Sequence, residues 1–394
     1  MHNVLFFKDD EMLPHLGGIS RINCNLRNAL TKHGYNCVFL SSTKSENIIA
    51  DKCQRWLPDL GMTYSEVNMR WLHRYIEDNK IKVIINNSFD SLSVRLLDEA
   101  RRGTECILIS WIHNNIVEYG SLVAYRYEKQ LKDKFLYFLY VIATCGMIVR
   151  TLRYFSKCKH TSTAQEIYNR SDKILTVSDG NIKEFLFLLG KKDIKRKVLS
   201  IPNFVPQLGN EVCEEEKTKS VVWCGSVDYD LKKTNWMLQI WRSIQSTHPD
   251  WTLTIIGDGK QLESMKQYAE EIGVERVLFT GRVNPESYYR KASVLCSTSI
   301  SESFGLTLVE GMQYGVVPVA FASSAAIREI VGYNGCLVKP YNKRKFVSEL
   351  SNIMENDTYR RFMAEKCRIA SMRYSEAMIV KIWQKLFEFI DKKQ

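Results

Sequence analysis

In this 394-residue chain, the residues whose sequence context most clearly indicates a catalytic or ligand-binding site are two glutamates, Glu302 and Glu310. They lie in the stretch Ser301–Glu310, which follows an apolar run and leads into an amphipathic segment that closes at Gly315. This pattern predicts a buried strand, a loop and the start of a helix, with Glu302 in the loop and Glu310 about two turns into the helix. Carboxylates beside the amides of a helix N-terminus suit a ligand that carries both hydroxyl groups and phosphates.

A histidine and a pair of glycines in the first half offer further candidates. His113 ends an apolar run, and the carboxyl end of a parallel strand faces the crevice where ligands bind. A half-buried structural histidine is the alternative interpretation. Gly17 and Gly18 follow the first apolar run and precede a helical pattern, so they let the backbone approach an anionic ligand or only make a turn. They do not belong to a G-x-G-x-x-G dinucleotide fingerprint.

Two adjacent lysines, Lys232 and Lys233, follow the first strand predicted in the second half. A fixed ammonium near a diphosphate stabilises the charge that develops as the diphosphate leaves, although adjacent lysines are also common in solvated loops. The nearby Asp228-Tyr229-Asp230 has the D-x-D spacing of metal–nucleotide sites and is interpreted mainly as a loop. Arg282 and Val283 follow another predicted strand, where exposed backbone groups could contact a base.

The elements that must position these residues alternate between short apolar runs and helical patterns in both halves of the chain. Such alternation indicates parallel βαβ units. A charged stretch with little core material separates the halves and marks a linker. The prediction is an α/β chain with two Rossmann-like, doubly wound parallel-sheet domains that face a central cleft. The expected division is 1–205, a linker at 206–219, 220–374, and a C-terminal helical segment at 375–394 that packs back on the first domain.

The overall charge and the cysteines narrow the possible partners. Lysine and arginine outnumber the acids 55 to 44, which favours an anionic partner such as a nucleotide, a nucleic acid or an acidic membrane face. The lysines are dispersed over both halves instead of forming an aromatic-interleaved stripe, and this argues against nucleic acid. The 11 cysteines include no C-x-x-C pair, so neither a zinc site nor a disulfide framework is indicated, and a cytoplasmic protein is expected.

The predicted insert at 119–165 contains an aromatic segment with basic flanks. Residues 135–149 are nearly uncharged, and lysines and arginines flank them on both sides within the range 132–159. As a helix this segment would span roughly 22 Å, which is short of the ~30 Å hydrocarbon core of a bilayer. Two interpretations remain: a helix that lies on the anionic inner face of the cell membrane, or a core helix with solvated ends.

The second half of the chain resembles the retaining nucleotide-sugar glycosyltransferases of family 4, which have the GT-B fold. The resemblance is carried by three stretches: LTIIGDGKQLESMKQYAEEIGVERVLFTGRV, YYRKASVLCSTSISESFGLTLVEGMQYGVVPVAF and NGCLVKP. Glu302 and Glu310 match the E-x7-E motif of that family. The resemblance covers about residues 220–340. The first half matches more loosely, through Gly17-Gly18, His113 and Val177-Ser178.

The resemblance implies roles for the acids and the cation. Glu310 would accept hydrogen bonds from the ribose hydroxyls of the nucleotide, and Glu302 would contact the donor sugar where transfer occurs. Lys232 would bind phosphate, with Lys233 as the alternative if the loop is shifted. His113 would contact the donor sugar.

Backbone groups complete the implied donor site. The amides of Phe304, Gly305 and Leu306 would hold the diphosphate, and the loop of Gly17 and Gly18 would lie beneath the phosphates and the acceptor. The family is usually independent of metal ions, so no metal and no cofactor beyond a UDP-linked sugar substrate is expected.

One departure from the family pattern affects the phosphate site. Ser226 stands where the family commonly has arginine, and Lys232, Lys233 or Arg21 are the candidates to replace that cation. The expected function is transfer of a sugar from a UDP-sugar to a glycan or lipid-linked acceptor with retention, in cell-surface polysaccharide biosynthesis. A GT-B epimerase or phosphorylase, or a non-catalytic sugar-nucleotide-binding protein, is the alternative.

Overall fold

The computed structural model describes residues 2–14, 17–44, 53–113, 160–190, 196–206 and 217–392. These residues form two compact α/β units, divided after Pro206, and the chain returns to the first unit at Glu376. Each unit has one sheet in which all strand pairs are parallel. The prediction of two Rossmann-like doubly wound domains is confirmed.

The sheet of the first unit has seven strands in the order β3-β2-β1-β4-β5-β6-β7. Its strands are β1 Asn3–Phe7, β2 Asn36–Ser41, β3 Gln54–Trp56, β4 Ile81–Asn86, β5 Ile107–Ile112, β6 Lys173–Thr176 and β7 Val198–Ser200. Its helices are Gly18–Lys32, Glu66–Asp78, Ser91–Ala100, Asp179–Leu189 and Glu376–Asp391, and residues 160–170 are also helical. The central strands are continuous apolar runs because helices cover both faces of such a sheet.

The sheet of the second unit has six strands in the order β10-β9-β8-β11-β12-β13. Its strands are β8 Ser220–Cys224, β9 Thr252–Ile256, β10 Val277–Gly281, β11 Val294–Ser297, β12 Val317–Phe321 and β13 Cys336–Val338. Its helices are Thr234–Ile244, Leu262–Glu271, Glu286–Lys291, Leu306–Gln313, Ala325–Val331, Lys343–Glu355 and Asp357–Ser371, followed by the 3-10 turn Met372–Tyr374.

The strand order of each sheet reverses direction at one point. In the first unit the chain moves outward from β1 and then returns to the other side of β1 with β4. In the second unit β8 and β11 are the corresponding neighbours. Loops that leave the carboxyl ends of these neighbouring strands diverge to opposite faces and leave a crevice, which is where open α/β sheets bind ligands.

The C-terminal helix Glu376–Asp391 packs on the first unit through aromatic rings. Its Trp383 makes an edge contact with Trp111 of β5, with ring centroids 5.0 Å apart, and Phe387 lies 5.3 Å from the ring of Tyr35. Lys32 and Glu376 form an ion pair of 3.2 Å at one end of this contact.

Some sequence predictions differ from the structure, and others concern residues outside the described ranges. β3 was not predicted, because its three residues Gln-Arg-Trp are not an apolar run. It is an edge strand, and the indole of its Trp56 donates a hydrogen bond to Glu11.

Glu310 is the fifth residue of its helix and therefore lies just over one turn from the helix start, not two. Residues 119–159 of the predicted insert, which include the segment 135–149 and all of 132–159, lie outside the described residues, as do 207–216 of the predicted linker. Among the described helices, none combines the length and apolarity that crossing a bilayer requires.

Candidate active site

The loops that follow β8 and β11 bring Lys232 and Glu302 together. The ammonium of Lys232 pairs with the carboxylate of Glu302. Their side chains are 26% and 15% exposed, so the pair is partly shielded from water and still reachable by a ligand. The two loops leave neighbouring strands at the reversal point of the second sheet, which is why residues 70 positions apart meet there.

Asp228 holds the backbone of the lysine loop. Its carboxylate accepts hydrogen bonds of 2.8 Å from the amides of Leu231 and Lys232, and its carbonyl accepts from the amide of Thr234 at 3.1 Å. The sequence Asp228-Tyr229-Asp230 is thus part of a tight loop that presents Lys232. Among the described residues, no three histidine, cysteine, aspartate or glutamate side chains are grouped so that they could hold a metal ion.

A buried hydroxyl joins the lysine loop to the end of β11. The Thr298 hydroxyl lies 2.9 Å from the carbonyl of Lys232 and 3.1 Å from that of Lys233, and it accepts from the Trp223 indole at 3.0 Å. The amide of Ile300 donates to the carbonyl of Leu231 at 2.9 Å. Sequence reasoning missed Trp223 and Thr298 as supports of the site, because a tryptophan and a threonine in an apolar strand pattern also fit an ordinary core.

Gly305 shapes the helix start that follows Glu302. It is the N-cap of Leu306–Gln313 in the left-handed region, with φ of 100°, and it provides no side-chain cap. The left-handed conformation favours glycine, and a Cβ at this position would lie 2.5 Å from Ile327 Cδ1, so a larger residue would also force the Ile327 side chain to move. The amide of Leu308 donates to the carbonyl of Gly305 at 3.0 Å. The amides at the very start of a helix generally have no partner within it and carry a partial positive charge, so the amide of Leu306 favours an anion.

Phe304 contributes packing beside this helix start. Its side chain is 3% exposed, and its ring makes an edge contact with Tyr374 at 5.5 Å between centroids. The backbone amide of Phe304 therefore belongs to a loop that is anchored in the core.

Glu310 is a buried carboxylate on the same helix. Its residue exposure is 6%, and the hydroxyl of the fully buried Tyr289 donates to Glu310 Oε2 at 3.4 Å. The ring of Tyr289 in turn stacks on Tyr314, with centroids 6.3 Å apart. Burying a carboxylate costs free energy unless hydrogen bonds satisfy it. A further hydroxyl donor, in addition to Tyr289, would therefore stabilise the buried carboxylate of Glu310.

The structure separates the two adjacent lysines. Lys233 is fully buried, and its ammonium lies 4.6 Å from the centre of the Trp236 ring. Burial, with a smaller effect from Lys343, lowers the pKa of Lys233 to about 6. Lys233 faces the core of its domain, so Lys232 is the member of the pair that the structure brings to Glu302.

His113 ends the strand region of β5 as a buried, neutral imidazole. It is 3% exposed, and burial lowers its pKa to about 3. Nε2 lies 3.0 Å from Asn87 Oδ1, while the Asn87 amide group donates to the carbonyls of Phe7 and Ile85. Because that orientation leaves Asn87 Oδ1 as the acceptor, Nε2 of His113 carries the proton. Within the described part of the chain, no hydrogen-bond partner meets Nδ1, which is therefore an acceptor.

The glycine pair lies at another helix N-terminus without a side-chain cap. Gly17 is the N-cap of Gly18–Lys32, with φ of 127°, and both glycines are exposed. A Cβ on either would meet no atom within 4 Å, so conformation, not crowding, favours glycine at position 17. Other helices of the chain are capped by side chains: those of Ser65, Asp90, Ser178, Ser324, Asn342 and Asn356.

Arg282 and Val283 lie on an exposed loop after β10, the edge strand of the second sheet. Two strands, β9 and β8, separate β10 from β11. The described contacts do not bring Arg282 or Val283 to the Lys232–Glu302 pair. Ser226, where the family commonly has arginine, is exposed.

Comparison with known proteins finds glycosyltransferases that are similar to this chain. Residues 218–356 match the family model described as Glycosyl transferases group 1. An uncharacterized glycosyltransferase of Haemophilus influenzae is 24% identical over 373 residues, which cover 93% of this chain and 95% of that protein.

Solved structures of low sequence identity share the fold. The apo form of the lipopolysaccharide outer core galactosyltransferase WaaB superposes with a TM-score of 0.67 at 17% identity, over 98% of this chain and 99% of that one. Anabaena Alr3699/HepE in complex with UDP superposes with a TM-score of 0.70 at 14% identity, over 98% and 100%. Residues 218–356 therefore carry a similarity to the group 1 glycosyltransferases, and the comparisons together support a glycosyltransferase with the GT-B fold.

Proposed function

We propose that this glycosyltransferase is a family 4 enzyme that moves a sugar from a UDP-sugar to a glycan or lipid-linked saccharide acceptor, with retention of the anomeric configuration, in cell-surface polysaccharide biosynthesis. The observation that carries the proposal is the Lys232–Glu302 ion pair beside the helix N-terminus at Gly305. It joins a cation, a carboxylate and the amides of a helix N-terminus, groups that suit transfer from a nucleotide diphosphate.

In the proposed reaction, Lys232 and the first-turn amides after Gly305 bind the diphosphate of the donor. As the bond between the sugar and the diphosphate breaks, negative charge grows on the leaving group, and the ammonium and the helix dipole stabilise it. Lys232 would bind the phosphates in exchange for its present partner, Glu302. The carboxylate of Glu302 would then become available to the sugar. The acceptor hydroxyl attacks from the face that the leaving group vacates, and its proton passes to an oxygen of the departing diphosphate.

The nucleotide end of the donor is assigned to Glu310. Its buried carboxylate, held by Tyr289, suits two neighbouring ribose hydroxyls, since an ionised carboxylate accepts several hydrogen bonds. His113 is assigned to the donor sugar, because its Nδ1 is a fixed acceptor for a sugar hydroxyl. Gly17 and Gly18 are assigned to the donor through the exposed amides of their helix start.

The choice of UDP and of a glycan acceptor is supported by the names of similar proteins. The Anabaena protein is in complex with UDP, and WaaB acts in the lipopolysaccharide outer core. Retention and family 4 membership are proposed from the match of Glu302 and Glu310 to the E-x7-E motif.

The donor and the linkage are tested by a screen of UDP-, GDP- and ADP-sugars, with the product linkage determined by NMR. We expect turnover with a UDP-sugar and an anomeric configuration in the product that matches the donor. Sugar phosphate as the product would favour a phosphorylase, and an altered free or nucleotide-linked sugar would favour an epimerase. Binding without turnover of any donor would favour a non-catalytic sugar-nucleotide-binding protein.

Metal independence and membrane association are further parts of the proposal. Lys232 and the helix amides would stabilise the diphosphate without a metal ion, so the transfer rate should be unchanged in EDTA. We propose a cytoplasmic enzyme that meets an anionic inner membrane face through residues 132–159. Cosedimentation with vesicles that contain anionic lipid tests this, and salt-insensitive absence of binding would contradict it.

A further inference from the structure

A cavity of about 700 Å³ lies in the second domain at the end of the sheet opposite the candidate active site. Lys217–Lys219 precede β8, Ser293 precedes β11 and Gly315 precedes β12, so these wall residues stand at the amino ends of strands. One face of the helix Asp357–Ser371 forms another wall. Lys232 and Glu302 follow the carboxyl ends of β8 and β11, so the cavity is not part of the donor site.

The cavity is lined by an excess of cations. Among the 12 lining residues, five are basic and two are acidic. The basic ones are Lys217, Lys219, Arg360, Arg361 and Arg368, and the acidic ones are Glu355 and Asp357. Among the described residues that line the cavity, none is aromatic and could stack on a nucleobase. The excess of positive charge therefore fits a phosphate-bearing group better than a nucleoside.

Lys217 is the least compensated of these cations. Its buried ammonium donates to the carbonyls of Tyr289 at 3.0 Å and Ala292 at 2.8 Å. Burial, with a smaller effect from the nearby Arg368, lowers the pKa of Lys217 to about 7. An anion in the cavity would offset both effects, because it places an opposite charge beside a desolvated ammonium.

Gly315 allows the guanidinium of Arg368 to approach this wall. A Cβ at Gly315 would lie 2.4 Å from Arg368 Nη1. At the mouth of the cavity, the side chains of Arg361 and Lys219 are 72% and 58% exposed. Their ion pairs with Asp357 and Asp250 are therefore weak and can be exchanged for a ligand.

We propose that this cavity is a second anion site, separate from the donor site, that binds a phosphate-bearing ligand through Lys219 and Arg361 at its mouth and Lys217 and Arg368 on its inner wall. The ligand is a phosphorylated saccharide in solution or the phosphate of a lipid headgroup, and the chemistry of recognition is the same for both. Guanidinium groups bind phosphate oxygens in pairs, which makes arginine the suitable residue at such a site.

The test is a titration of pyrophosphate into the full chain saturated with UDP, at constant ionic strength, followed by calorimetry. Saturation with UDP occupies the proposed donor site. If that assignment fails and UDP does not bind, the double variant still distinguishes the cavity from the donor site, because neither Lys219 nor Arg361 belongs to the donor site. We expect one further binding event, weakened at least tenfold in the double variant Lys219→Ala/Arg361→Ala. The control is Lys266→Ala/Lys345→Ala, which removes two exposed lysines paired with carboxylates elsewhere in the same domain and should bind like the native protein.

Cosedimentation with vesicles of phosphatidylglycerol and phosphatidylcholine distinguishes the two sources of phosphate. Vesicle binding that the double variant loses and the control keeps would support the site with a lipid headgroup as its ligand, even if free pyrophosphate does not bind. Pyrophosphate binding that the double variant weakens, without vesicle binding, would support it with a soluble ligand. Binding of either probe that is equal in the native protein and the double variant, with no probe whose binding the double variant weakens, or binding of neither probe, would overturn the proposal.

Discussion

The ammonium of Lys232 and the carboxylate of Glu302 form an ion pair between the loops that follow β8 and β11. Each charge keeps the other in position while no ligand is bound. Neither group is buried deeply enough for the pair to be inaccessible. In the proposed reaction, a donor diphosphate replaces Glu302 as the partner of Lys232, and the same exchange frees the carboxylate for the sugar.

Replacing the two adjacent lysines one at a time by methionine should affect the transfer rate very differently. Lys232→Met should lower the transfer rate about 10²- to 10³-fold, the usual cost of losing one group that stabilises developing negative charge. Lys233→Met should keep the rate within about threefold, because its side chain lies in the core against Trp236. Initial rates of UDP release measure both variants. Full activity of Lys232→Met, or an equal loss in Lys233→Met, would contradict the assignment.

Glu310→Gln should mainly weaken binding of the donor. Loss of a charged acceptor for the ribose hydroxyls should raise the Kd of UDP about 10- to 100-fold, with a much smaller effect on the rate at saturation. Tyr289→Phe should weaken UDP binding less, because the tyrosine acts by orienting Glu310. The matched control is Glu263→Gln, an exposed glutamate of the same domain. A Kd unchanged in Glu310→Gln would rule out the ribose assignment.

Gly305→Ala should destabilise the protein more than Gly273→Ala, although both glycines have a positive φ. Alanine at Gly305 meets Ile327 Cδ1 at 2.5 Å and must also adopt φ of 100°. Gly273→Ala, in the same domain, has φ of 68° and only an ordinary contact of 3.5 Å to Arg242 Nε. We expect the Gly305 variant to lose about 1–3 kcal/mol more stability and to bind UDP more weakly. Thermal unfolding with and without UDP compares the two, and equal losses would contradict the steric argument.

His113 should make the stability of the first domain depend on pH. Its folded-state pKa is about 3, whereas an unfolded histidine titrates near ~6.5. Between these values the unfolded chain binds more protons, so the contribution of His113 is fully present above about pH 6.5 and is lost as the pH falls toward 3. Its slope is at most about 1.4 kcal/mol per pH unit.

The measurement for His113 is the free energy of urea unfolding at pH 7.5 and pH 5. The native protein should lose about 1–2 kcal/mol more between these pH values than His113→Gln does. An equal loss in both proteins would mean that the imidazole is not held neutral in the folded state.

The sequence predicted the strands of both sheets well, because strands covered on both faces are continuous apolar runs. Cys106–His113 and Val294–Thr298 are such runs, and they contain β5 and β11 with the candidate residues at their ends. β3 was missed because its position depends on pairing with β2 and on the contact of Trp56 with Glu11, neither of which leaves a local pattern.

The family resemblance favoured Lys232 and kept Lys233 as the alternative, and the residue pattern itself could not decide between them. Lys233 has a left-handed backbone conformation with φ of 56°, and the Thr298 hydroxyl holds the carbonyls of both lysines. With these two features, the side chain of Lys232 points toward Glu302 and that of Lys233 points into the core. Both depend on contacts between loops that are far apart along the chain.

The central claim is that the Lys232–Glu302 site transfers a sugar from a UDP-linked donor. Its most direct test is the release of UDP from UDP-sugars in the presence of an acceptor pool, for the native protein and for Glu302→Ala. We predict acceptor-dependent release by the native protein and a rate at least about 10²-fold lower for Glu302→Ala, with UDP still bound within a few-fold of the native affinity. Absence of release by the native protein, or equal release by both proteins, would contradict the claim.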